Sequence, residues 1–134
     1  MRKKIRILVN DLRVEAELNE SKSAQSIWEA LPLQARANLW GEEIYFSIPV
    51  KAGLEPGARE VVSSGELGYW PTGHAFCIFF GPTPASRGDE IRAASAVNVI
   101  GQVLSDPKIF RKAKDGATIV LERAQEDIQP PTPE

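Results

Sequence analysis

The sequence predicts an all-β domain whose strands close into a barrel, with two short helices over the open ends. Three observations point there. Apolar and polar residues alternate at a period of two along much of the chain, helical periodicity is confined to two short stretches, and ten glycines and ten prolines are scattered as punctuation rather than gathered in a block. At 134 residues the chain has the size of one domain with one real core. Seven or eight short strands in such a domain leave unpaired edges unless the sheet closes, and closure removes them most simply. A sandwich also satisfies the alternation, because periodicity fixes faces and not closure.

Each element follows from the residues in turn. Ile5, Ile7 and Val9, then Val14, Ala16 and Leu18, flank Asn10-Asp11 as two half-buried strands of an antiparallel hairpin. The period then changes to that of a helix. Ala24, Ile27, Trp28 and Leu31 fall on one helical side, with Ser21 or Ser23 as the cap and Pro32 as the stop. From Ala35 the two-residue period returns: Ala35, Ala37 and Leu39 form one strand, Gly41 makes a turn or bulge, and Ile44, Phe46 and Ile48 oppose Glu43, Tyr45 and Ser47. Pro49 to Arg59 reads as a surface loop, and Val61-Val62 as a short strand. Ala75 to Phe80 is apolar without alternation, so this strand is covered on both faces or presents one to a ligand. Val97 to Leu104 is similar, with Gly101 as a bulge. Ser105-Asp106-Pro107 starts a short second helix with an acidic cap and a proline at its first position. Asp115-Gly116 turns the chain into a last strand, Ala117 to Arg123. Residues 1–124 are thus the folded domain, and 125–134, acidic and proline-rich, are expected to be a disordered tail.

Composition narrows the function. Sixteen Lys and Arg face 18 Asp and Glu, with no clustered basic footprint, which argues against a nucleic-acid partner. One Cys and one His exclude an intrachain disulfide and a tetrahedral zinc site; no metal and no cofactor are expected. The apolar run behind the basic start is only Ile7-Leu8-Val9, too short for a signal peptide or a membrane span. The expectation is a cytoplasmic protein without a membrane partner.

The segment GELGYWPTGHAFCIFFGPTPAS, Gly65 to Ser86, gathers six large rings in twelve residues: Tyr69, Trp70, His74, Phe76, Phe79 and Phe80. The phenylalanines read as core. Tyr69 and Trp70, beside Pro71, read equally as core or as the rigid wall of a binding groove. His74 could transfer a proton or make a single backbone hydrogen bond. Cys77, mid-strand and apolar-flanked, reads as buried and inert. Glu42 and Glu43, beside Trp40 and Tyr45, point to opposite faces of a strand and cannot act as a pair; whichever faces inward must find donors or rise in pKa.

Three stretches carry a resemblance: EALPLQARANLWGEEIYFSIPV, GYWPTGHAFCIFFGPTPAS, and SAVNVIGQVL before DGATIVLER. On these the chain resembles the small prokaryotic cyclophilin-like family, over residues 3–123. The resemblance implies a closed eight-stranded β-barrel with two helices at its ends, and no established activity. True cyclophilins, more distantly similar, isomerise X–Pro bonds against a barrier of about 20 kcal/mol, using an Arg in the strand after the first helix. The equivalent stretch here, Glu43-Ile44-Tyr45-Phe46-Ser47-Ile48-Pro49, has none; Arg36 is the nearest substitute. The leading expectation is a groove of Glu42, Glu43, Tyr45, Tyr69, Trp70 and His74 that binds a small molecule or a proline-containing peptide. A weak prolyl isomerase using Arg36 is the alternative, and a homodimer built on exposed aromatics is a third reading.

Overall fold

The computed structural model describes residues 3–124; the expected tail, 125–134, lies outside the described residues. At the start of the chain the alternation becomes pairing. β1 (Lys3–Val9) and β2 (Leu12–Leu18) run antiparallel with Val9 opposite Leu12, so Asn10 and Asp11 alone make the turn. Asn10 takes φ 54°, a left-handed conformation that Asn tolerates better than most residues. The six apolar residues of the pattern, Ile5 to Leu18, are all buried to 1% exposure or less.

α1 (Lys22–Ala30) begins where Ser21 Oγ accepts the Ala24 N–H at 3.2 Å, and ends at Leu31, which is extended before Pro32. Ala24 and Ile27 face the core. The other strands are β3 (Leu33–Arg36), β4 (Asn38–Leu39), β5 (Glu43–Ser47), β6 (Arg59–Val62), β7 (Glu66–Trp70), β8 (Ala75–Phe79), β9 (Ile91–Val103) and β10 (Thr118–Arg123). A 3₁₀ turn, Pro71–Gly73, separates β7 from β8. The second helix is also 3₁₀, Pro107–Lys112, with the Asp106 carboxylate accepting the Lys108 N–H.

The sheet is antiparallel, in the order β3-β10-β1-β2-β9-β7-β8-β5-β4, with β6 paired to β9. This corrects two expectations: among the described residues there are ten strands rather than eight, and their hydrogen-bonded ladder does not return to its first strand. The reason lies at Ala37. β3 and β4, the two ends of the path, are one segment divided at that residue. Its N–H and C=O still bond to Ala117 and Gly116 beside β10, at 2.8 Å each, whereas Asn38 already pairs with Tyr45 of β5.

Apolar cores form on both faces of the sheet. The larger is lined by the hairpin, α1, Ile44, Phe46, Leu67, Tyr69, Phe76, Ile78 and Phe110. The smaller, on the opposite face of β5, β7 and β8, holds Val62, Ala75, Cys77, Phe79, Ile91, Ala93 and Val97. β8 is buried at every position because it lies between the two, as its unbroken apolar run predicts. The cover for the second core is the first half of β9 with β6. β9 reaches both cores by bending: Leu67 opposes Gly101 while Gly68 opposes Val99, which leaves Ile100 as an extra residue. Gly101 is required there, since a Cβ would stand 2.1 Å from the Glu17 carbonyl oxygen of β2.

Candidate functional site

Gly41, at φ 63°, turns the chain so that Trp40 N–H bonds the Glu43 carbonyl at 2.9 Å. Successive strand residues then face opposite ways. Glu42 joins Arg111 in a two-pronged ion pair, at 2.7 Å to Nε and 3.3 Å to Nη2. Glu43 and Tyr45 turn instead toward the smaller core, across from Phe79 and Cys77 of β8.

On that face a pocket of about 210 Å³ is walled by Trp40, Glu43, Tyr45 and Trp70 on one side and by Ala93, Ala94 and Val97 of β9 on the other. Small residues make the room. Trp70 is fixed in place because its indole N–H donates to Ser95 Oγ at 2.6 Å.

Glu43 is the single charged residue of this lining. It is 5% exposed, and its Oε1 has no hydrogen-bond partner. Burial pushes the carboxyl up to about 7, opposed only by hydrogen bonding from the Cys77 thiol. Burial, and then the charge of Glu43, push the Cys77 thiol well above its ordinary value. Cys77 is therefore a neutral, inert packing residue, as expected.

The remaining sequence candidates do not join Glu43, Tyr45 and Trp70. Tyr69 belongs wholly to the larger core, where its hydroxyl donates to the Val50 carbonyl at 2.5 Å and accepts the Ala52 N–H at 3.2 Å. β7 runs through both residues, so Tyr69 and Trp70 must part to opposite faces. His74 is exposed, left-handed at φ 49°, and closes the 3₁₀ turn; its backbone carbonyl accepts the Ile48 N–H at 2.8 Å. Glu42 lines a separate shallow depression with Phe80, Phe110 and Arg111. Arg36 is exposed and donates to the Gly116 carbonyl at 3.4 Å, so the cation that an isomerase would need is away from the pocket. The pocket residues outside the expected groove are Trp40 and, on β9, Ala93, Ala94 and Val97. Trp40 beside the glutamate pair was a visible signal; the alanines of β9 carried none.

A wider depression of about 670 Å³ lies between the start of α1 and residues 52–56. Its buried polar groups are already matched: Ser23 N–H and Oγ both bond Glu55, and Asn98 bonds Ser23 Oγ, the Gly53 carbonyl and the Glu55 N–H. Only at Glu43 is a buried side-chain nitrogen or oxygen left unmatched among the described residues. No three His, Cys, Asp or Glu gather into a metal-binding group among the described residues, and none of their helices is long and apolar enough to cross a membrane.

A family model described as Cyclophilin-like matches residues 3–122. The solution structure of the hypothetical protein AF2241 from Archaeoglobus fulgidus is similar, at 39% identity and a TM-score of 0.78, over 92% of this chain and 95% of that one. The structure of McbB in complex with tryptophan shares the fold, at 13% identity and a TM-score of 0.63, over 94% of this chain and 46% of that one. No curated protein matches the chain.

Proposed function

This chain belongs to the Cyclophilin-like family, and we propose that it binds a small molecule in the pocket between the outer face of β5 and β7 and the overlying strand β9. The observation that carries this reading is Glu43: a carboxyl held almost out of solvent, one oxygen unpartnered, in a pocket walled by three aromatic side chains. Leaving a buried acceptor unmatched costs roughly 1–3 kcal/mol, more for a charged group. Folds carry such a loss where a ligand removes it. The apolar lining supplies most of the contact area and the carboxyl sets orientation, the usual division of labour in small-molecule sites.

Closure of the sheet into a barrel belongs to the same reading. β3 and β4 are a single covalent segment that meets β10 at one end and β5 at the other, so the wall under the pocket is stiff although its ladder is interrupted at Ala37.

The test is a fragment screen followed by two-dimensional amide NMR on the intact protein. Binding fragments should move the amides of Trp40, Glu43, Trp70, Ala93 and Ala94 together. A screen in which no fragment moves this group, or in which hits cluster beside Glu55 and Ser23, rejects the assignment.

A further inference from the structure

The same pocket restricts the charge of its occupant. Its one charged residue is an acid, and the lining contains no Lys, Arg or His. Trp40, Tyr45 and Trp70 line it, and the negative quadrupole over an aromatic ring attracts cations and repels anions. The indole N–H of Trp70 is already bonded to Ser95, which leaves the Trp40 indole N–H and the Tyr45 hydroxyl as the uncharged donors of the lining. What Glu43 lacks is a partner for its Oε1, in a residue only 5% exposed.

Resting on the pocket reading above, we infer that the ligand is a protonated amine on an apolar or aromatic body about the size of one ring, its ammonium directed at Glu43 and flanked by the tryptophan faces. The size follows from volume. An apolar cavity of about 150 Å³ accepts benzene, and the pocket here offers about 210 Å³, enough for a ring with a short aminoalkyl arm. An ammonium supplies the missing donor and neutralises a carboxylate that the protein has removed from water. A neutral alcohol supplies only a donor, and a carboxylate ligand would set like charges together.

Benzylamine, benzyl alcohol and benzoate form the test series, titrated into the intact protein by calorimetry or NMR at pH 8. Benzylamine should bind most tightly, benzyl alcohol at least tenfold more weakly, and benzoate not measurably. Glu43→Gln should reduce benzylamine affinity about tenfold or more, the size of a lost charge-assisted hydrogen bond, while benzyl alcohol changes little.

Affinity should also depend on pH. The groups that face Glu43 are Tyr45 on its own strand and Cys77 on β8; β9 contributes only Ala93, Ala94 and Val97. With the Cys77 thiol held neutral, Glu43 alone titrates there below pH 8. Benzylamine affinity should therefore fall as the pH drops from 7.5 to 5.5, by up to about tenfold per unit.

Equal binding of all three probes, tighter binding of benzoate, or a benzylamine preference that survives in Glu43→Gln overturns the amine inference and leaves the pocket reading standing. Binding of none of the three overturns both. The comparison among probes on the unaltered protein does not depend on whether the variant folds.

Discussion

Glu43 should make the protein less stable as the solution becomes more alkaline, and replacing it should remove that dependence. Its carboxyl rises from an ordinary value of 4.5 to about 7 on folding, so the folded protein holds this proton more tightly than the unfolded chain does. Below about pH 4.5 both states carry the proton and the group has no effect. Between 4.5 and 7 the unfolded chain ionises first, and stability falls with rising pH. Above 7 the loss is complete. At 1.36 kcal/mol per unit, a rise from 4.5 to about 7 amounts to about 3 kcal/mol, which in a domain of this size corresponds to roughly 10 °C in Tm. Glu43→Gln keeps the shape and cannot ionise. Its buried amide adds an offset of its own, but that offset is constant with pH. The assay is urea unfolding of both proteins from pH 4 to pH 8.5, with the difference in unfolding free energy taken at each pH. Half-buried pairs such as Glu90 with Arg92, which hold the Glu90 carboxyl below its ordinary value, are common to both proteins and cancel. The difference should move in favour of the variant by about 3 kcal/mol between pH 4 and pH 8. Parallel curves would show that the carboxyl is solvated in the folded state, and the pocket would lose its distinguishing group.

Tyr69→Phe leaves the Val50 carbonyl and the Ala52 N–H without their partner; it should cost about 1–3 kcal/mol and speed amide exchange in residues 50–58, with the pocket amides unmoved. Ala94→Phe, at an exposed position on the pocket wall, should abolish fragment binding while leaving the urea midpoint within about 0.5 kcal/mol of the parent. Exchange of a proline-containing peptide, followed by NMR at high protein concentration, should run at its uncatalysed rate, because Arg36 is bonded to Gly116 and absent from the pocket. An accelerated rate abolished in Arg36→Ala would restore the isomerase reading.

Much of the fold was legible because period-two alternation reports directly on a strand with one buried face. The hairpin of Ile5 to Leu18, a serine cap at Ser21 or Ser23 and the Asp106 start all follow from local chemistry; all three stand in the structure, with Ser21 as the cap. Legibility fails where one strand serves two environments. After Ile91 and Arg92 the first half of β9 continues as Ala93-Ala94-Ser95-Ala96, residues too small to give a hydrophobic period, so only Val97 to Leu104 looks like a strand. Ala37 ends one ladder and begins another without a glycine or proline to mark the change, which hides the division of its segment.

The site was half legible for a related reason. Alternation separates Glu42 from Glu43 correctly, and the same rule, applied two strands further on, separates Tyr69 from Trp70. Placing both rings in one groove wall beside Pro71 suspends the rule just where β7 still obeys it. The unalternating run Ala75 to Phe80 held the stronger clue. A strand apolar on both sides needs two cores, and a second core on a small sheet needs a cover of its own. Where that cover is built from alanine, as at Ala93 and Ala94, packing against tryptophan leaves space. Glu43, opposite Phe79 in register with that face, then stands at the edge of the space, out of water and with one oxygen unpartnered. The pocket and its unpartnered acid thus have a common origin in the small residues of β9, and enlarging those residues should close the first and bury the second together.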